Sequence, residues 1–209
     1  GFVSGDPLYL SGRSPVLVSD PYSRRTFFHG HLASAVAGDR GQFVPPHGWG
    51  YLDTSPGYKG ALQGWACPIS GARCGFTLTL TIGIAAAATP EGWAGVFVCA
   101  VDDRSFDDAD RPEPGLGGYH VLLRQSGNLE VHVVHRGTTH LAASAATAPI
   151  EPGGSATLRI DVTPTQVAIA RVDISPPPVV AMTDATYRGG YFHFGRRAAA
   201  VYFSAVTIT

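Results

Sequence analysis

Charge is scarce in this chain: only 15% of its 209 residues are Asp, Glu, Lys or Arg, and Lys59 is the one lysine. A formal net charge of -1 gives no basic footprint for a phosphate backbone, so nucleic acid is excluded as a partner. No apolar run approaches the roughly twenty residues of a membrane helix, and no membrane span is expected. The chain opens at Gly1 with neither a methionine nor a signal peptide, and reads as a mature or excised piece. Sustained helical periods are missing beyond Gly75; Ala85 to Ala88 have helical propensity but are too few to form more than a connection. The nucleophile elbow G-x-S-x-G and the phosphate-binding P-loop are missing too, as is any Cys and His pair in a recognisable context. Cysteine is limited to three residues. Cys67 and Cys74 bracket the short loop "CPISGARC" and are expected to form a disulfide, with Cys99 a buried free thiol in "GVFVCAV"; three reduced cysteines are the alternative.

What is abundant is punctuation. Twenty-six glycines and sixteen prolines break up a chain that is 44% hydrophobic. Its core must come from short segments rich in Val, Ala, Leu, Phe and Tyr. "FTLTLTIGI" is the plainest of these, with Phe76, Leu78, Leu80 and Ile82 alternating with Thr77, Thr79 and Thr81, so that one face is core and the other a threonine surface. Further strands are expected at 95–101, 139–145, 156–163, 166–173, 190–195 and 200–209, together with the two arms of a hairpin in "GYHVLLRQSGNLEVHVVHRG". An antiparallel all-β sandwich of two sheets, a jelly roll, is the economical architecture for so many strands with one apolar face each. The length suits a single domain over 1–209, with an irregular, aromatic-rich segment at about 34–65.

The hairpin carries the first candidate site. A two-residue turn at Ser126-Gly127 pairs Gln125 with Asn128. It places Tyr119, Val121, Leu123 and Gln125 on one face with Asn128, Glu130, His132 and Val134, leaving Leu122, Leu129, Val131 and Val133 to the core. Tyr119, Gln125, Glu130 and His132 then form a polar and aromatic sheet surface suited to a sugar, the ring against C–H groups and the polar side chains against hydroxyls. Solvated sheet residues without a ligand are the plain alternative. A second cluster, Phe43, His47, Trp49, Tyr51, Tyr58 and Trp65, lies in the glycine- and proline-rich segment, where Trp49 and Tyr51 are expected as exposed stacking platforms and Trp65 as a plug.

Metal signals are thinner. His29 and His31 of "HGH" would supply half a zinc or copper site. Asp107, Asp108 and Asp110 in "VDDRSFDDAD" are oxygen ligands of the kind calcium takes, without the glycine and closing glutamate of an EF-hand.

Three C-terminal stretches, "GGYHVLLRQSGNLEVHVV", "PGGSATLRIDVTPTQVAIARVD" and "VAMTDATYRGGYFHFGRRAAAVYFSAVTIT", resemble the concanavalin A-like lectin/glucanase superfamily, in particular its laminin G-like and galactocerebrosidase-lectin-type jelly rolls. The likeness covers the C-terminal half, extends loosely back to Phe76, and is poor over residues 1–65. It implies a sandwich, a structural calcium ion as the one cofactor, and glycan as partner. The closing strand departs from the pattern: Phe203 is followed by Ser204-Ala205-Val206, without the usual acidic residue, which weakens a calcium site carried over from the family. Nor is there the E-x-D-x-x-E run with which glucanases of this superfamily place two carboxylates about 5 to 10 Å apart.

The expected function is therefore a non-catalytic, lectin-like carbohydrate-binding or accessory domain of a larger secreted glycan-related protein, with a neighbouring catalytic domain in the same polypeptide as the expected partner besides glycan. A polysaccharide lyase or glycoside hydrolase of the same fold is the first alternative, with His132 or Tyr119 as base and Arg124 or Arg136 neutralising an acidic sugar; in that scheme Arg124 would have to leave the apolar side of its arm. A structural or protein-interaction domain without a glycan site is the second. Arginine in place of lysine, with abundant alanine, points to a GC-rich bacterial genome.

Overall fold

A computed structural model describes residues 42–44, 48–51, 58–60, 65–66, 75–101, 117–189 and 191–208. Fourteen strands occur among them, and no helix does. Four are short: β1 (Gln42–Val44), β2 (Gly48–Tyr51), β3 (Tyr58–Gly60) and β4 (Trp65–Ala66). The ten that follow are β5 (Phe76–Ala87), β6 (Trp93–Ala100), β7 (Gly117–Arg124), β8 (Asn128–His135), β9 (Thr138–Ala146), β10 (Ser155–Val162), β11 (Gln166–Arg171), β12 (Val179–Thr183), β13 (Tyr191–Arg197) and β14 (Ala199–Ile208). They form two antiparallel sheets. One runs β1-β2-β14-β5-β10-β11-β12; the other runs β3-β13-β6-β7-β8-β9, with β4 also on β13.

The period-two pattern of β5 sets the logic of the whole. Leu78, Leu80 and Ile82 are fully buried, while across the pleat the Thr77 hydroxyl donates to Asp161 Oδ1 at 2.7 Å and Thr81 meets Thr157 at 3.2 Å. The matching inward residues of β10, β11 and β14, among them Leu158, Ile160, Val167, Ile169, Val201 and Phe203, close one half of the core. Ala94, Val96, Val98, Tyr119, Val121, Leu123, Leu129 and Val131 from the facing sheet close the other. The burial of these side chains between two sheets is what favours the sandwich, since neither sheet could hide its apolar face alone.

β12 is a strand that the sequence reading passed over. It follows "SPPP", and Val179–Thr183 pairs along the edge of β11 from Gln166↔Thr183 to Ala170↔Val179. An edge strand needs only one ladder of hydrogen bonds, so prolines just before it are tolerated.

The hairpin between β7 and β8 differs from expectation by one residue. Leu123 stands opposite Leu129 and Leu122 opposite Glu130, which makes Gln125-Ser126-Gly127 a three-residue turn. Gly127 N–H bonds back to Arg124 O at 2.9 Å, and Gly127 takes φ of 89°, a left-handed conformation that glycine adopts freely. The tip is also tied to its neighbours. Gln125 N–H donates to Gly92 O, Ser126 N–H to Pro90 O, and Ile150 N–H to Gln125 O. A one-residue shift of register reverses the faces of a strand. Here it sends Tyr119, Val121 and Leu123 inward against the opposite sheet and turns His120, Leu122 and Arg124 outward beside Glu130 and His132.

Candidate functional site

The outward face of β6, β7 and β8 is not a uniformly solvated surface. Gly95 on β6 makes room at its centre: a Cβ there would lie 2.7 Å from His120 Nε2. The His120 ring drops into that space, stacking on Phe97 with centroids 4.0 Å apart and planes 10° apart. It meets the Trp93 ring edge-on at 4.9 Å. Beyond Phe97, a register jump between β6 and β13 and a φ of 57° at Cys99 turn both Val98 and Cys99 into the core. Phe97, Ala100 and Val134 form a second, smaller buried cluster there.

Next to this aromatic floor lies a charged knot. Arg124 donates from Nε to Glu130 Oε1 at 2.6 Å and from Nη2 to Oε2 at 3.0 Å, the two-pronged geometry a guanidinium offers a carboxylate. Asn128 Nδ2 donates to Oε1 at 2.5 Å, and His132 Nε2 lies 2.8 Å from Oε2. Arg124 Nη1 reaches the other way, to the carbonyl of Glu91 at 3.0 Å and its carboxylate at 3.3 Å. Burial by itself would raise the Glu130 pKa. The hydrogen bonds from Arg124, His132 and Asn128 and the charge of Arg124 outweigh it, so the carboxyl is held below its ordinary value. Arg124 is in turn held more firmly protonated, chiefly by its hydrogen bond to Glu130.

Floor and knot together shape an open depression of about 290 Å³, lined by Trp93, His120, Leu122, Arg124, His132, Thr139 and Arg197. Thr139 comes from the edge strand β9, and Arg197 from β13, where it stands opposite Trp93. Both are exposed, whereas Trp93, His120 and Leu122 are buried. The result is an aromatic and apolar base under a polar rim, an arrangement that can hold a small polyhydroxylated molecule by ring contact below and hydrogen bonds at the side.

Of the residues expected here from sequence, Glu130 and His132 do share this face. Tyr119 does not: it is fully buried in the core between the sheets, because the three-residue turn reverses its side of β7. Its hydroxyl donates to Asp184 Oδ1 at 2.5 Å and accepts from Tyr187 N–H at 3.2 Å and Arg188 Nη1 at 3.1 Å. Burial and the bond to Asp184 push its pKa up to about 12, against the opposing pull of Tyr187 N–H and Arg188. A phenol held in that way cannot serve as the catalytic base that the enzyme alternative assigned to it. Gln125 also leaves the site, since it belongs to the turn and its Nε2 donates to Ile150 O at 3.0 Å. Leu122, expected in the core, instead lines the depression, and Arg124 faces it without having to cross the strand.

Trp49 and Tyr51 lie in β2, registered with Phe203 and Val201 of β14. That strand belongs to the other sheet from the one that carries Glu130. Asp107, Asp108 and Asp110, the Cys67 and Cys74 pair, and His29 and His31 lie outside the described residues. Cys99 is a buried free thiol. Among the described residues no group of three or more His, Cys, Asp or Glu side chains could hold a metal ion. Trp93, His120, Thr139 and Arg197 were missed. The signal for His120 was the alternation His120-x-Leu122-x-Arg124, legible once the turn is counted as three residues.

No protein-family model matches the chain, and no curated protein matches it. Among solved structures it is similar to the carbohydrate binding module CBM66 from Bacillus subtilis, with a TM-score of 0.59 and 17% identity over 81% of this chain and 92% of that one. It is also similar to a Bacillus subtilis protein of unknown function with a galectin-like fold, with a TM-score of 0.57 and 16% identity over 81% and 86%. At such identities the likeness is one of fold. The chain shares with them a jelly-roll β-sandwich fold, which does not single out the laminin G-like group expected from sequence.

Proposed function

We propose that the chain is a non-catalytic carbohydrate-binding domain whose glycan seat is the depression on the outward face of β6, β7 and β8. The observation that carries this is the pairing of a Trp93 and His120 floor with side chains already fixed in place by Glu130. Prepositioned polar groups around an aromatic base bind a sugar without a large ordering cost on association. A structure of the same fold is named a carbohydrate binding module, which supports the reading. With it go features that rest on sequence alone: an extracellular setting, a bacterial source, a Cys67–Cys74 bond, a structural calcium ion near Asp107, Asp108 and Asp110, and a neighbouring catalytic domain.

The test is a glycan array on the purified chain, with and without calcium, followed by a reducing-end assay on every hit. Reproducible binding without turnover is expected, falling at least about tenfold in His132→Ala at a temperature where both chains are folded. Silence on the array, or hits indifferent to His132→Ala, would overturn the reading; release of reducing or unsaturated ends would turn it into an enzyme.

A further inference from the structure

Glu130 accepts four hydrogen bonds: two from Arg124, one from Asn128 and one from His132. An ionised carboxylate has about four lone-pair positions, so this one has none left for a ligand. The same bonds fix a proton. A carboxylate held ionised can only accept, and so the His132 nitrogen that faces it, Nε2, must carry hydrogen. In neutral imidazole the other nitrogen is then a bare lone pair. Among the described residues no group bonds His132 Nδ1, and the side chain is 16% exposed on the wall of the depression.

We infer that Glu130 is a positioning residue that locks His132 in its Nε2–H tautomer, so that His132 presents Nδ1 to the ligand as a hydrogen-bond acceptor. This rests on the proposed glycan seat and narrows its ligand. The group that meets His132 is one that donates, a sugar hydroxyl or an acetamido N–H; a carboxylate, sulfate ester or phosphate has no hydrogen to offer at that point. From sequence, Glu130 and His132 are both expected on the sugar-binding surface. In the knot they form a chain, Arg124 and Asn128 holding Glu130 and Glu130 holding His132, whose Nδ1 is left for the ligand.

The charged and titratable groups around His132 agree with this division. On its own strand there is Glu130, and on β7 there are His120, with ring centroids 6.3 Å away, and Arg124. Arg197 on β13 lines the same depression, while the residue of β9 in register with His132 is the uncharged Leu141. Among the described residues, Glu130 is the one carboxylate bonded to the ring.

The experiment is a long-range proton–nitrogen correlation spectrum of the uniformly 15N-labelled chain at a pH where the histidine rings are neutral, with His132 assigned by the signal lost in His132→Gln. It needs no ligand. In the unsubstituted chain His132 is expected to carry its proton on Nε2. In Glu130→Gln, with the amide oxygen taken by Arg124 Nε, the amide NH₂ faces His132 and donates to Nε2, so the proton is expected to move to Nδ1. An Nδ1–H ring in the unsubstituted chain would overturn the inference even if Glu130→Gln failed to fold, as would a Glu130→Gln spectrum with His132 unchanged. Silence on the glycan array, by contrast, would remove the proposed function and leave the tautomer as measured.

Discussion

Arg124 and Glu130 sit six residues apart on adjoining strands and bond through two nitrogens and two oxygens, at 2.6 and 3.0 Å. Arg124 is partly open to solvent and Glu130 nearly closed to it, with side-chain exposures of 22% and 6%. Removing the arginine therefore leaves a buried carboxylate with only Asn128 and His132 to satisfy it. Arg124→Ala is expected to cost about 2 kcal/mol of stability, measured by urea denaturation. Arg124→Lys keeps the charge but not the fork, and is expected to cost about 1 kcal/mol. Equal stability of all three chains would show that the pair is worth no more than a surface contact.

The same carboxylate makes stability depend on pH. Folding lowers the Glu130 pKa from its ordinary 4.5, burial opposing and the bonds from Arg124, His132 and Asn128 prevailing. The folded chain thus prefers the ionised form more than the unfolded chain does. That contribution is fully present above pH 4.5 and is lost as pH falls through the lower, folded-state value. Denaturation curves collected from pH 7 down to pH 3 should show the unsubstituted chain losing its advantage over Glu130→Gln at the acid end. A gap that stays constant over the whole range would contradict the assignment of this shift.

How much of this was readable beforehand turns on one turn. The period-two runs of β5, β8 and β10 marked core and surface correctly, because Leu78, Leu80, Leu129, Val131, Leu158 and Ile160 could only be hidden by facing inward. β8 therefore carries Glu130 and His132 on the outward face expected of them. β7 was wrong because "RQSGN" is compatible with either a two- or a three-residue turn, and the choice depends on hydrogen bonds to Pro90, Gly92 and Ile150, which are distant in sequence. Misplacing that one residue put Tyr119 on the surface and hid His120 and Arg124. Trp93 and Arg197 could not be linked to the site from sequence, since only the pairing of β13 with β6 brings them together.

Gly95 is the vacancy on which the aromatic floor depends. A methyl group there would stand 2.7 Å from both His120 Nε2 and the backbone oxygen of Val121. The ring could tilt away, but the carbonyl belongs to the β6–β7 ladder and cannot. Gly95→Ala is expected to lower stability by about 1 to 3 kcal/mol and to change the near-ultraviolet circular dichroism, because Trp93 packs edge-on against the displaced ring. An unaltered aromatic spectrum with unaltered stability would mean that His120 does not need this space.

Tyr119→Phe separates scaffold from site. The hydroxyl joins Asp184, Tyr187 and Arg188, tying the segment before β13 to the inside of β7. Its loss leaves the Asp184 carboxylate short of one donor and the Tyr187 N–H without its acceptor, a cost of about 2 kcal/mol. Since the side chain points away from the depression, glycan binding at a temperature where both chains are folded is expected to be unchanged. Weakened binding by fully folded Tyr119→Phe would return Tyr119 to the site.

Cys99 offers a test of the core itself. Burial pushes its thiol up to about 12, and the charge of Arg188 offsets this only in part. The reactive species is the thiolate, and at pH 8 the folded chain holds almost none of it at this position. Side-chain exposure of 1% also denies a reagent physical access. Peptide mapping after iodoacetamide treatment should find Cys99 unmodified in the native chain and fully modified in urea. The rate of labelling at intermediate urea should follow the global unfolding equilibrium, because Cys99 lies among core residues contributed by both sheets and opens only when they part. Rapid native labelling would mean instead that the end of β6 opens locally, at the bulge where Cys99 takes its positive φ.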